Sequence, residues 1–157
     1  MPAKRCAACE RLSRRRAASV KGCRFSVERG KTIIDAIGLA EIVANRPSPD
    51  ELDEAHRAWR HAAIKAAKAQ GLTFTHGVAA KLINVYFKAR QVFDLHPPID
   101  AVLLTELSVQ NFGGFGAVWN KARRLRWSNF TSTDYETVIR HVRLALHGAP
   151  LWMIEQH

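Results

Sequence analysis

The chain has 157 residues, of which 47% are hydrophobic, and a formal net charge of +10 at pH 7. This length predicts one globular domain with a real core. No apolar run approaches the roughly 18 residues that a membrane span needs, so we expect no membrane partner. The charge favours a polyanionic partner, such as DNA or RNA.

Most of the excess charge lies at the start of the chain, where residues 1–25 hold eight Lys or Arg and one acid. We expect a basic, mobile arm at 1–25 and an all-α globular domain at 26–157. The start lacks the apolar segment of a secretory signal, and three cysteines make no disulfide framework, so we expect a cytoplasmic protein. Cys6, Cys9 and Cys23 offer three ligands where structural zinc usually takes four, and we therefore expect no metal and no cofactor.

Apolar residues recur at helical spacing along the body of the chain, and no strand pattern occurs, which predicts an all-α single domain of six or seven helices. The predicted helices span 27–44, Pro49–Gln70, Val78–Phe93, Asp100–Gln110, Ala117–Arg126 and Asp134–His147. The predicted N-caps are Ser26, Ser48, Thr75, Asp100 and a capping box of Thr133 and Glu136. The apolar ending at 151–154 is expected to dock on the body.

The long helix from Pro49 divides into two predicted faces. Its buried stripe is predicted to contain Leu52, Ala55, Trp59, Ala62, Ala63 and Ala66. Another face carries Arg57, His61, Lys65 and Lys68. We interpret that face as solvated charge, with phosphate contact as the alternative.

The stretch from Leu72 to Leu104 predicts a helix-hairpin-helix element with two functional groups. From Lys81 to Phe93 the helix covers about 18 Å at about 1.5 Å per residue. The seven steps from Phe93 to Asp100 can return at most roughly 23 Å. The spacing therefore allows the Lys81 amine and the Asp100 carboxylate to lie side by side.

This stretch resembles the helix-hairpin-helix DNA glycosylases that carry a Gly/Pro…Asp motif. Gly77 and Val78 match the hairpin glycine and valine of that superfamily. Lys81 matches the nucleophilic lysine, and the Pro98-x-Asp100 sequence follows it at the matching distance. The resemblance covers roughly residues 72–104, about a fifth of the chain.

The sequence also departs from the superfamily's pattern within the hairpin. Ala79 replaces the second glycine of the motif, and Thr75 with His76 replaces a Leu-Pro pair. The resemblance nevertheless implies that the hairpin binds the DNA backbone through Thr75, His76, Gly77, Val78 and Ala79. The backbone N–H groups at a helix N-terminus suit such phosphate binding.

The resemblance further implies glycosylase chemistry, possible abasic-site lyase activity and a base flipped out of the duplex. Lys81 would attack the sugar as a neutral amine, which burial beside Val78 and Leu82 would favour. Asp100 would shuttle a proton or stabilise the cationic sugar. The candidates for stacking on the flipped base are Trp59, Trp119, Trp127, Phe74 and His76.

A second phosphate-binding hairpin at Asn111–Gly116 would lead into a basic helix that carries Arg123 and Arg124, although a plain helix–helix turn is the favoured interpretation. Three alternatives remain open for the whole. Lys81 could be an ordinary surface lysine and Asp100 only a helix cap. The chain could be a non-catalytic nucleic-acid-binding protein. It could also be a HEPN-type ribonuclease, since Arg140-His141 and His147 loosely resemble that signature.

Overall fold

The computed structural model describes residues 25–156. Within this range the chain forms seven α-helices and three short 3₁₀ helices, and no β-strand, which confirms the predicted all-α class. The α-helices are α1 Val27–Ala36, α2 Leu39–Ala44, α3 Leu52–Ala69, α4 His76–Ala89, α5 Ala101–Val109, α6 Gly116–Leu125 and α7 Ser132–Leu146. The 3₁₀ helices are Phe112–Gly114, Trp127–Asn129 and Leu151–Gln156.

Helix α4 is the central element, because it contributes to both apolar clusters of the domain. The first cluster gathers residues of α1 to α4, with Leu82 and Ile83 of α4 fully enclosed. The second gathers α5, α6, α7 and the C-terminal 3₁₀ helix, and Ala80 of α4 belongs to it. Nine residues of the 14-residue helix α4 are buried, so it has almost no solvent-facing side. The residues of the site lie on and around this helix.

The structure differs from the prediction in the first two helices. The segment 27–44 is broken into α1 and α2 at Gly38, which has a φ of +67°. Ser26 caps α1 as predicted, by accepting a hydrogen bond from the Arg29 N–H. Helix α3 begins at Leu52 rather than at Pro49, because the Ser48 hydroxyl donates to the Glu51 carboxylate at 2.6 Å and residues 49–51 form a turn.

The helix-hairpin-helix element has the predicted caps and shorter helices. Thr75 caps α4, with its Oγ1 accepting from the Val78 N–H at 3.2 Å. Asp100 caps α5, with its Oδ1 accepting from the Leu103 N–H at 3.0 Å. Helix α4 ends at Ala89 and not at the predicted Phe93, since Gln91 adopts a φ of +60°. The return segment is therefore longer than predicted.

The last α-helix also begins at a different cap. Its capping box pairs Thr131 with Asp134, and the predicted pair of Thr133 and Glu136 is wrong. The Glu136 carboxylate instead accepts hydrogen bonds from arginines of α3. After α7 the chain turns at His147, and the C-terminal 3₁₀ helix docks through Leu151 and Ile154, as predicted.

The predicted buried stripe of α3 is only partly right. Arg57, His61, Lys65 and Lys68 are exposed, as predicted for the charged face. The buried residues are Leu52, His56, Arg60, Ala63 and Ala67, whereas Ala62 is exposed and Ala55, Trp59 and Ala66 are only half-buried. The helix thus places two polar side chains at core positions.

Candidate functional site

Lys81 and Asp100 form the ion pair that the spacing predicted. The Lys81 Nζ lies 2.9 Å from Asp100 Oδ2. Lys81 stands in the second turn of α4, and the return segment brings Asp100 back to it as the cap of α5. The predicted proximity of these two side chains is therefore confirmed, while their chemical roles stay predictions.

The pair is partly shielded and lies against an aromatic ring. The Lys81 side chain is 17% exposed and that of Asp100 is 31% exposed. Lys81 Nζ lies 5.4 Å from the centre of the Trp127 ring, within the range of a cation–π contact. Burial alone raises the pKa of Asp100. The N–H of Leu103 and the Lys81 ammonium outweigh it, and the pKa lies below its ordinary value. Asp100 is therefore a carboxylate at neutral pH.

The predicted phosphate-binding turn lies under the segment 127–130. The Gly77 N–H donates to the Phe130 carbonyl at 3.3 Å, and the Thr75 hydroxyl donates to the Ser128 carbonyl at 2.6 Å. Gly77, Val78 and Ala79 are all buried. DNA binding by this turn stays a prediction, and it would require the segment to move away, because the Gly77 N–H already has a protein partner.

His76, the remaining residue of the predicted turn, faces α3 rather than Lys81 in its hydrogen bonding. Its Nδ1 accepts from Arg60 Nε at 3.5 Å, and its ring meets that of His61 edge-on at 4.9 Å. Burial lowers the pKa of His76 below its ordinary value, and the nearby Arg60 charge lowers it further. A neutral imidazole can accept this hydrogen bond, whereas a protonated one cannot.

Of the five predicted base-stacking residues, Trp127 is the one in contact with Lys81. Trp119 and Phe74 are core residues, at 0% and 6% exposure. Trp59 is half-buried against the rings of His56 and Phe87. A flipped base beside Lys81 would therefore meet Trp127 first.

The predicted basic residues Arg123 and Arg124 are exposed in the last turn of α6. Arg123 donates to the Asn120 side chain at 3.4 Å, and Arg124 donates to the Asn120 carbonyl at 3.3 Å. They precede Trp127 by three and four residues. These long contacts leave most of their donors for solvent or a ligand, and their role in DNA binding stays a prediction.

A buried hydrogen-bond network next to the pair was missed by the sequence interpretation. It begins at Arg60, whose Nη1 donates to His56 Nδ1 at 2.9 Å. The other ring nitrogen of His56, Nε2, lies 2.7 Å from Asn84 Oδ1. Asn84 Nδ2 in turn donates to the Tyr135 hydroxyl at 2.9 Å and to the Pro97 carbonyl at 3.0 Å.

The network continues from Tyr135 to the surface. His96 Nδ1 lies 3.2 Å from the Tyr135 hydroxyl, and His96 Nε2 lies 2.8 Å from Asp53 Oδ1. Asp53 also accepts from Arg143 at 2.5 Å. Each donor in this series therefore finds one acceptor, from the Arg60 guanidinium to the Asp53 carboxylate.

Both network histidines are neutral near pH 7. Burial lowers the pKa of His56 well below its ordinary value, and burial lowers that of His96 although Asp53 opposes the shift. The hydrogen bond from His96, together with Arg143, holds the pKa of Asp53 at about 2. Burial raises the pKa of the Tyr135 hydroxyl, so this group stays protonated and donates to His96.

A signal for this network does exist in the sequence. His56 and Arg60 fall at the core positions of α3, spaced four residues apart between Leu52 and Ala63. A search for apolar residues skips such positions. Polar residues that fall on an apolar stripe are the signal, because burying them requires partners.

The residues of the HEPN-like pattern do not share one surface of α7. His141 Nδ1 donates to the Thr137 carbonyl at 2.7 Å, and the ring packs edge-on against Phe115 at 5.0 Å. The helix ends at Leu146, and His147 adopts a left-handed conformation beyond it, with a φ of +49°. Arg140 instead lines a cleft between α3 and α7. The predicted helix extended to His147, whereas the helix in the structure ends one residue earlier. Arg140 and His147 therefore do not share one helix surface.

The described residues define an all-α domain with a partly shielded lysine–aspartate pair beside a hydrogen-bonded polar core. No group of three or more His, Cys, Asp or Glu side chains in residues 25–156 could hold a metal, and Cys6, Cys9 and Cys23 lie outside that range. The helices within the same range include none long and apolar enough to cross a bilayer. No protein-family model, curated protein or solved structure matches the chain.

Proposed function

We propose that the chain is a DNA-repair-like glycosylase with abasic-site lyase activity, in which Lys81 forms a Schiff base with the sugar. The observation that carries this proposal is the Lys81–Asp100 pair at 2.9 Å, partly shielded from solvent and lined by Trp127. An amine, a carboxylate and an aromatic face are the groups that imine formation with a flipped nucleotide requires.

The proposed reaction balances with these two side chains. The Lys81 ammonium gives a proton to Asp100, and the free amine attacks the C1′ aldehyde of the ring-opened sugar. Asp100 returns the proton to the hydroxyl that leaves as water, so that ammonium and aldehyde become iminium and water. Asp100, which is again a carboxylate, then takes a C2′ proton from the iminium, and the electron pair of that C–H bond forms the C2′–C3′ double bond as the C3′–O bond breaks and the phosphate leaves, which nicks the strand.

The charge distribution supports DNA as the substrate. The exposed Arg123 and Arg124 of α6 precede Trp127 by four and three residues, so two cationic side chains lie close to it along the chain. Residues 1–25 add eight basic side chains, although residues 1–24 lie outside the described structure. Phe25 itself packs against Phe74, with ring centres 5.1 Å apart. The predicted arm would thus be anchored to the domain at its last residue.

Borohydride trapping on DNA that carries an abasic site tests the proposal, because hydride reduces the iminium to a stable protein–DNA cross-link. The wild-type chain should form the cross-link, and Lys81→Gln should form none while its DNA affinity changes little. Asp100→Asn should slow cross-linking without unfolding the chain, because Asn also caps helices.

Lys88→Gln is the matched control for this experiment. Lys88 lies on the same helix and is also ion-paired, at 2.7 Å from Glu155, but within the described residues it makes no hydrogen bond with Asp100. Its substitution should leave trapping unchanged. Trapping that persists in Lys81→Gln would contradict the proposal.

Non-catalytic nucleic-acid binding is the second candidate. The observation that favours it is the exposed pair Arg123 and Arg124, whose long hydrogen bonds to Asn120 leave most of their donors for a phosphate. Wild-type chain that binds DNA and gives no cross-link would establish this second function. In that case Lys81→Gln should cost no more than one phosphate contact.

A further inference from the structure

A polar cleft of about 400 Å³ lies between α3 and α7, away from the Lys81–Asp100 pair. Four arginines and two carboxylates line it: Arg57, Arg60, Arg140, Arg143, Asp53 and Glu136. Neither Lys81 nor Asp100 contributes to its walls. The cleft is therefore a separate feature that the proposed lyase chemistry does not use.

The ion pairs inside the cleft leave an excess of positive charge. Glu136 accepts from Arg57 at 2.7 Å and from Arg60 at 2.9 Å, so one carboxylate serves two guanidiniums. The bond from Arg57 holds the pKa of Glu136 at about 2, and both carboxylates are ionised at neutral pH. Because His96 is neutral, the four arginines exceed the two acids by two charges.

Two of these arginines retain free donors that face no acid. The Arg140 side chain makes no ion pair or hydrogen bond with any residue in the described part of the chain. Arg143 binds Asp53 through Nη2, but its Nε, although buried, has no hydrogen-bond partner within residues 25–156. The Arg143 side chain as a whole is 37% exposed and lines the cleft, so a ligand there can contact its guanidinium. Both residues lie on α7, three positions apart, and so they are neighbours on the helix surface.

We propose that this cleft binds a phosphomonoester, with Arg140 and Arg143 as its principal contacts. A phosphate dianion would match the two excess charges, and guanidinium groups suit its oxygens geometrically. The hydroxyls of Thr133 and Thr137 line the same cleft and supply further donors. The proposal goes beyond the lyase activity and does not depend on it.

The cleft is a binding site rather than a second catalytic site. His96 is the one histidine among its lining residues, and both of its ring nitrogens are engaged, one with Tyr135 and the other with Asp53. Neither nitrogen is available to take a proton from a ligand. The chemistry left to the cleft is recognition of charge and shape.

Calorimetric titration of the full chain with inorganic phosphate tests the proposal. We expect one saturable site with a Kd of about 1 mM or tighter, as a few charge-assisted hydrogen bonds provide. Arg140→Gln should weaken binding about tenfold, which is the loss of one charge-assisted contact. Its fold should be intact, because Arg140 holds no other described side chain.

Two further variants keep the outcome decisive. Arg143→Lys keeps the charge but removes the planar guanidinium with its several donors, and it should also weaken phosphate binding. Lys31→Gln removes a charge from the exposed surface of α1 and should have no effect. The proposal is overturned if phosphate shows no saturable binding, or if Lys31→Gln weakens it as much as Arg140→Gln does.

The source of the phosphomonoester is distinguished by a second titration, with an oligonucleotide that carries either a 5′-phosphate or a 5′-hydroxyl. If the 5′-phosphate adds affinity that Arg140→Gln removes, the ligand is a strand end. If inorganic phosphate binds but the 5′-phosphate adds nothing, the ligand is a small phosphorylated molecule. Failure of borohydride trapping would leave both of these results unaffected.

Discussion

Gly77 shows how one residue can fit two different functional interpretations. Its place before Lys81 suggested a turn that grips phosphate. In the structure it permits close packing instead, since a Cβ at this position would overlap the carbonyl oxygen of Trp127 and would lie 3.2 Å from the Phe130 Cβ. The glycine thus allows the segment that carries Trp127 to lie directly on α4. This contact holds the Trp127 ring beside Lys81.

We predict that Gly77→Ala destabilises the fold by about 3 kcal/mol, the upper range for forcing an extra methyl into a packed site. The clash is with backbone, which cannot rotate away. Urea unfolding would measure the change. Gly30→Ala is the comparison, because its Cβ would lie 2.9 Å from the Phe25 ring and 3.9 Å from Leu82 Cδ1, so that side chains rather than backbone would have to shift, and the substitution gains helix propensity. Equal stability of the two variants would contradict this account of Gly77.

At the scale of elements, the return segment between α4 and α5 is held by side chains rather than by regular structure. Leu95, His96 and Pro97 are buried in it, and Asn84 of α4 donates to the Pro97 carbonyl. Asn84 lies one turn after Lys81 on the same helix. The same helix therefore carries the amine and fixes the segment that delivers Asp100.

We predict that Asn84→Leu lowers the free energy of unfolding by about 3 kcal/mol or more, because it leaves several buried polar groups without partners. If the proposed lyase activity holds, cross-linking to abasic DNA should fall as well, since Asp100 would lose its support. Asn45→Leu, at an exposed position, is the control and should be nearly neutral. Unfolding followed by circular dichroism checks the first effect, and trapping checks the second.

The sequence predicted elements well where the controlling interaction is local. The caps Ser26, Thr75 and Asp100 each bond to an N–H three residues ahead, and all three were predicted. The start of α7 was misplaced because two Ser/Thr-x-x-acid pairs overlap there. Thr131 and Asp134 form the capping box, since Glu136 of the other pair binds arginines of α3. Local chemistry alone could not decide which of the two possible capping boxes forms.

The candidate site divides in the same way. Lys81 and Asp100 were predicted because the helix and the return segment between them can be measured along the chain. The network was not, since the partners of His56 and Arg60 lie up to 76 residues away. Spacing along the chain can predict which side chains meet within one hairpin. Side-chain pairs that span the whole domain depend instead on how α3, α4 and α7 pack.

At the scale of the whole molecule, the polar network joins the two apolar clusters. Asn84 and His56 adjoin the first cluster, while Tyr135 belongs to the second. Its hydrogen bonds require both His56 and His96 to be neutral. Protonation of His56 would set an N–H against the Arg60 donor, and protonation of His96 would leave the Tyr135 hydroxyl hydrogen without its acceptor, so the contact between the clusters is sensitive to acid.

We therefore predict that stability falls as the pH drops below about 6.5, the ordinary histidine pKa. There the unfolded chain takes up protons that the folded His56 and His96 refuse, and above that pH the effect vanishes. Between pH 7.0 and 5.5 the two residues should together cost roughly 2 kcal/mol, by linkage. Urea unfolding at the two pH values measures this.

His96→Gln should remove part of that pH dependence, whatever it does to stability at pH 7, while His56 and His76, whose pKa values burial also lowers, retain the rest. Asp53 and Glu136, with pKa values of about 2, cause a further loss only in more acidic solution, below their ordinary pKa values near 4. An identical slope between pH 7.0 and 5.5 in wild type and His96→Gln would contradict the assignment to this network.

The position of Asn84 in the middle of the network has a consequence for proton movement. Imidazole and hydroxyl groups can pass a proton along a hydrogen-bonded series by accepting at one atom and releasing at another. A carboxamide keeps both hydrogens on its nitrogen and only accepts at its oxygen. The series from Arg60 to Asp53 is therefore continuous in hydrogen bonds but interrupted for proton conduction, so no proton can pass through it between the Arg60 guanidinium and the Asp53 carboxylate.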